Sequence, residues 1–292
     1  MPVGGLVPYL FGLTGRSEIG GPALVTFLGD IGLSVSSARS LIARLRSVGA
    51  LAARADWRRA LYRLDGDMAA TFERIAADAT PMEWDGAFHG VLFTVPEAVR
   101  GYRDKLRRAL DYAGYGQLRS GLMIHPFDRW KRVRDLVDEA PAGASVYPLR
   151  LVLDPADARA IARDAWDLDI LAAAMRTQMD QLAAATTKTW PTGPATLAGL
   201  VAAVRPALYL ALVDPRLPPD LVPSDWPANA FDNAIEDLHG AHVPVLSRTS
   251  TKSQKADGRS TFPGEVFRLR ARSTKAPRSV RSINVSTRLV AP

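Results

Sequence analysis

Residues 34–64 read SVSSARSLIARLRSVGALAARADWRRALYRL. Ala38, Leu41, Ile42, Leu45 and Val48 recur every three or four positions, a spacing that places them on one buried stripe of a helix. Ser34 or Ser36 is suited to cap its start, because a serine oxygen accepts from the free N–H groups of a first turn. Arg39, Ser40, Arg44, Arg46 and Ser47 fall largely off the stripe, and Gly49 ends the helix. Leu51–Arg54 then pairs with Ala60–Leu64 around a basic turn, Ala55-Asp56-Trp57-Arg58-Arg59.

Upstream, Leu6–Leu13 is short and apolar, a first buried helix despite Pro8. Gly20, Gly21 and Pro22 form a break, and Pro22 fits the first turn of a helix reaching about Gly29, where its missing N–H is not needed. Helix, helix, basic helix and basic hairpin together make the order of a winged helix. Such a unit reads DNA: the helix enters the major groove, and the hairpin reaches phosphate or the minor groove. Ser36, Ser37, Arg39 and Ser40 are the expected contacts near the helix start. Arg44, Arg54, Arg58, Arg59 and Arg63 are expected on phosphate. The same arginines would also suit the solvated face of a protein-interaction domain, and Trp57 suits packing as well as contact.

The formal net charge of +7 is unevenly spread. Residues 246–292 hold 11 Lys/Arg and 2 Asp/Glu, a net of +9; the remaining 26 basic and 28 acidic residues sum to −2. Overall basicity therefore belongs to the C-terminal segment and says little about the body. That segment, rich in Ser, Thr and Gly, is expected to be a poorly ordered tail. Cysteine is absent, which excludes disulfides, a thiolate nucleophile and Cys-containing zinc sites. Neither a signal peptide nor a membrane span is expected, so the reading is a cytoplasmic protein.

The pass along the chain gives an α+β protein with a winged helix over 1–66 and a helical linker over 67–83. A middle domain over 84–154, a mainly helical domain over 155–245 and the tail over 246–292 complete it. In the middle domain, Phe88–Val95 reads as a strand and Val99–Ala113 as an amphipathic helix. Tyr115–His125 reads as a strand pair or one bent strand, Phe127–Ala140 as a helix, and Ser145–Leu153 as a strand. That order is ferredoxin-like. Ala156–Arg163, Leu168–Ala185, Leu197–Leu212 (interrupted by Pro206) and Ala230–Leu238 read as helices. Asp85, in Trp84-Asp85-Gly86, is a lone carboxylate and better suited to a turn than to metal-dependent cleavage. No phosphate-binding glycine loop, nucleophile elbow or metal set occurs, so neither catalytic nor metal-binding residues are expected, and no cofactor.

The chain resembles the PaaX-like repressors of aromatic catabolism from about residue 5 to 240. Ser36–Leu51 resembles their recognition helix, and Trp57–Leu64 their wing. Trp84-Asp85-Gly86, Val91–Glu97, Leu106-Arg107-Arg108 and Gly114–Leu118 resemble their Cas2-like middle domain. Trp166-Asp167-Leu168, Asp214–Leu221 and Asp225-Trp226-Pro227 resemble their C-terminal signature. The resemblance implies a homodimeric repressor on operator DNA, dimerised through the middle domain and released by an acyl-coenzyme A such as phenylacetyl-coenzyme A. Arg119, His125, Arg129 and Lys131, near the middle-domain signature, are the positions considered for that anionic effector. Ile170–Ala185 departs from the family in carrying few aromatic residues. A nuclease acting through Asp85 and a non-enzymatic dimeric scaffold are the alternatives.

Overall fold

The computed structural model describes residues 3–56, 59–76, 83–191 and 193–254. A 3-10 turn at Val3–Leu6 leads into α1 (Val7–Thr14), followed by β1 (Ile19–Gly20) and α2 (Gly21–Asp30). Next come α3 (Val35–Ser47), β2 (Leu51–Asp56), β3 (Arg59–Leu64) and α4 (Gly66–Ala76). The three strands form an antiparallel sheet in the order β1-β3-β2. Leu51 lies opposite Leu64, and Asp56 opposite Arg59, so the first wing strand runs two residues further than expected. This is a winged helix, with α3 as its third helix. Trp57 and Arg58, at the wing tip, lie outside the described residues, as do residues 77–82 of the expected linker.

Ala38, Leu41, Ile42 and Leu45 are buried on α3, while Val48 is 70% exposed. Val48 leaves the stripe because the helix ends at Ser47. Ser34 is the cap: its Oγ accepts from the Ser37 N–H at 3.1 Å. Replacing it leaves an orphan donor in the first turn, so Ser34→Ala costs about 1 kcal/mol of stability. Urea unfolding of the variant beside the unaltered protein checks this.

The central domain runs β4 (Ala87–Thr94), α5 (Arg100–Tyr112), β5 (Gly116–Arg119), β6 (Leu122–His125), α6 (Arg134–Asp138) and β7 (Ser145–Val152). Its four strands are antiparallel in the order β5-β6-β4-β7, the expected ferredoxin-like arrangement. Alternation along β4 sends Val91 and Phe93 to one face, under Leu106 and Leu110 of α5. Phe88 faces the other way, against Ala158, Ala162, Leu217 and Leu221. The single helix expected over Phe127–Ala140 is reduced to a 3-10 turn at Trp130–Arg132 and the short α6. Asp128 explains the break, since its Oδ1 accepts from the Trp130 N–H at 2.8 Å in a local turn.

Four helices follow: α7 (Pro155–Ala165), α8 (Leu168–Thr186), α9 (Pro194–Val213) and α10 (Ala228–Gln254). Pro206 does not interrupt α9. By length and composition α9 matches a membrane-crossing helix, yet it buries Leu197, Leu200, Val201 and Val204 in the protein core. The last helix extends well past Leu238 and past the boundary drawn at residue 245 on composition. Its buried face includes Phe231, Ile235, Leu238 and His242. Two histidines within the stripe hide its apolar period from the sequence. Residues 255–292, most of the expected tail, lie outside the described residues.

The winged helix and the C-terminal helices share one hydrophobic core. Leu10, Leu24, Leu28 and Leu41 belong to the same buried cluster as Met175, Leu200, Val204, Phe231 and Ile235. Within it the Tyr9 hydroxyl and His239 Nε2 lie 2.9 Å apart in a buried hydrogen bond. Between the central domain and α7, the ring of Trp166 lies over Gly116, where an added Cβ would fall 2.6 Å from Trp166 Cε2. Trp166 Nε1 donates to the Gly114 carbonyl at 3.3 Å, so two separated sequence motifs meet in one contact.

Candidate nucleic-acid interface

Residues 34–64 carry seven arginines and one aspartate. On α3 the stripe facing the core leaves Ser36, Ser37, Arg39, Ser40 and Arg44 exposed on the solvent side, together with Arg46. The first turn is held by a cluster of hydroxyls. Ser34 Oγ lies 3.0 Å from Ser36 Oγ and donates to Ser37 Oγ at 2.9 Å. Ser36 and Ser37 are thus fixed by the cap. The guanidinium groups of Arg39, Arg44 and Arg46 make no ion pair or hydrogen bond among the described residues. Three exposed, unneutralised cations on one helix make a surface of positive potential aimed at solvent.

The wing differs. Arg54 is held in a forked pair by Glu18, with Nε–Oε1 at 2.7 Å and Nη2–Oε2 at 2.6 Å. Arg54 lowers the Glu18 carboxyl below its ordinary range by that hydrogen bond, with a Coulomb contribution from Arg54 and then Arg63. Arg63 lies 3.6 Å from Asp65. Arg59 stands on β3 opposite Asp56, and Arg58 lies outside the described residues. The structure thus leaves Arg39, Ser40 and Arg44 exposed on α3, with Arg39 and Arg44 on opposite flanks of its solvent side, but gives Arg54 and Arg63 acidic neighbours. Nothing in the sequence singles out Glu18, because it lies 36 residues from Arg54 and only the β1-β3-β2 sheet brings them together. Glu18→Gln removes the competing carboxylate, so affinity for duplex DNA rises about three- to tenfold at low salt. Fluorescence anisotropy with a labelled duplex measures it.

The four positions considered for an anionic effector are spread along the β5-β6 hairpin and the turn that follows it. Arg119 ends β5 at the hairpin turn, where it donates to the Leu118 carbonyl at 2.7 Å. His125 ends β6 at the opposite tip of the same hairpin, three residue steps or about 10 Å away along the strand. Arg129 and Lys131 belong to the 3-10 turn that follows and its start. His125 is buried, and its Nδ1 lies 2.9 Å from both the backbone N and the carbonyl of Phe127. Burial, with the Arg129 charge second, pushes its pKa down to about 4, so it is neutral near pH 7 and offers an anion no charge.

Asp85 is committed to a turn. Its Oδ1 accepts from the Ala87 N–H at 3.1 Å, and Arg150 Nη2 donates to its Oδ2 at 3.0 Å. Those bonds, the Arg150 one first, hold its carboxyl below the ordinary range. Trp84 Nε1 donates to the Ala87 carbonyl at 2.8 Å, and its ring packs on Phe88. Among the described residues no three His, Asp or Glu side chains converge as metal ligands.

Residues 81–158 match the family model described as the PaaX protein central Cas2-like domain. Among solved structures, an uncharacterized protein from Mycobacterium tuberculosis is similar to this chain, with 23% identity and a TM-score of 0.54. The similarity covers 83% of this chain and 97% of that one and speaks for the fold. No curated protein matches the chain.

Proposed function

We propose that this chain, whose central domain matches the PaaX Cas2-like type, is a transcription regulator that binds a specific operator through its winged helix. The observation that carries the reading is the exposed, unpaired set Arg39, Arg44 and Arg46 on a capped third helix. Phosphate is the partner that neutralises such a set, and the neighbouring exposed Ser40 is the proposed contact to a base edge. The protein acts as a cytoplasmic homodimer on related half-sites, as two-fold symmetry requires. It represses, without enzymatic activity of its own, and an acyl-coenzyme A releases it. The match of the central domain and the resemblance along the chain support the repressor and effector parts.

The test is binding of purified protein to DNA from the promoter beside its own gene, against a scrambled duplex at one salt concentration. The expected result is preference for the promoter and weakening as salt rises. Equal affinity for both duplexes removes sequence selectivity from the reading. Binding to neither removes DNA and favours a dimeric scaffold.

A further inference from the structure

The flank of α3 that turns toward α2 and β3 forms one wall of an open cleft of about 520 Å³. Its floor is apolar, made by Pro22, Val25, Ile42 and the ring of Tyr62. Arg39 and Arg46 stand over that floor from α3. Seven residues separate them, two helical turns or about 10 Å along the axis. Neither guanidinium has an ion pair or hydrogen bond among the described residues. Gly21 closes one side; a Cβ there would come within 3.2 Å of Tyr62 Cε2, so the ring lies directly on the backbone.

We propose that this cleft is a binding site for a small amphipathic organic anion, a carboxylate or sulfonate on an apolar body, whose occupancy competes with DNA. The size falls within the range of roughly 300–1,000 Å³ common to small-molecule sites, and an apolar lining with a few placed polar groups is their usual make-up. A DNA phosphodiester would use the two cations and leave the half-buried Val25 and Tyr62 surface without a partner. An amphipathic anion uses both. Its acid group pairs with Arg39 or Arg46. Its body removes the apolar floor from water. The competition follows because Arg39 belongs to the face proposed for DNA. This last step rests on the proposed function; the binding itself does not.

The test uses 8-anilinonaphthalene-1-sulfonate as the probe and the full-length protein without DNA. Saturable binding is expected, displaced by octanoate at concentrations at least tenfold below those of octanol, its uncharged counterpart. In R39A/R46A both probe and octanoate weaken at least tenfold. In A43W, where an indole at an exposed lining position fills the cleft, the probe weakens by a similar factor. Circular dichroism and thermal unfolding identify any variant that fails to fold, and R39A/R46A alone then decides. Probe affinity within twofold of the unaltered protein in the folded variants, or octanol displacing as well as octanoate, overturns the site. A final titration adds promoter duplex. Probe release by duplex supports competition, and duplex binding without release overturns it. A protein that binds probe as expected but no duplex keeps the cleft and loses the DNA reading, whereas duplex binding with a probe indifferent to the cleft variants does the reverse.

Discussion

Acidification from pH 7 to pH 4 removes several kcal/mol of stability, and the double variant Tyr9→Phe/His239→Leu loses about 3 kcal/mol less over the same interval. Burial pushes the His239 pKa down to about 4. The unfolded chain takes up a proton on this histidine near pH 6.5, and the folded one only near pH 4. Protons therefore bind the unfolded state preferentially between those values. The stability of the neutral folded form is complete above about pH 6.5 and falls as the pH drops toward 4, below which this contribution is constant. His125, also held neutral by burial, acts in the same direction over the same window. Replacing both partners of the Tyr9–His239 bond by apolar groups leaves no orphaned hydroxyl, so the variant stays folded at pH 7. Urea unfolding at pH 7, 5.5 and 4 measures the pH dependence for each protein. Equal dependence in the two would remove His239 from the account.

Arg39→Ala/Arg44→Ala/Arg63→Ala binds promoter DNA about a hundredfold more weakly than the unaltered protein at 0.1 M salt. Every phosphate the variant no longer neutralises also reduces the slope of log affinity against log salt by roughly 0.9, so the slope falls by about 2 to 3 for each protomer. The lower figure applies if Asp65 already occupies Arg63. Each of these side chains is exposed, so thermal stability changes little. An unchanged salt slope in the triple variant would place the DNA-contacting surface elsewhere.

The parts of the fold legible in the sequence are those where a single period runs uninterrupted. The stripe Ala38, Leu41, Ile42 and Leu45 specifies the third helix to within a residue or two of its ends, and Phe88–Val95 specifies the central strand of the second sheet. What stays hidden depends on contacts between distant segments. A histidine inside an apolar stripe is ambiguous in one dimension; in three, His239 and His242 of α10 are buried against Tyr9 and Trp190. Of the candidate site, Arg39, Ser40 and Arg44 are legible from helical spacing alone. Arg46 falls off the stripe by the same spacing, but its place in a cleft needs Val25 and Tyr62, which come from other elements. Glu18 is invisible as a partner of Arg54, because only the small sheet brings residues 36 apart together.

The core shared between the winged helix and the last helices also sets an order of events during synthesis. Val243 follows Leu51 by 192 residues, and both belong to the same buried cluster. At translation rates of about 5–20 residues per second, that distance takes roughly 10–40 s. The C-terminal helices follow the winged helix in the chain, so the part of its apolar face that they cover stays uncovered until they are made. Contacts of such long sequence separation slow folding and leave early segments open to aggregation. A chain that ends before α10 lacks Phe231, Ile235, Leu238 and Val243 and so leaves the core it shares with the winged helix incomplete.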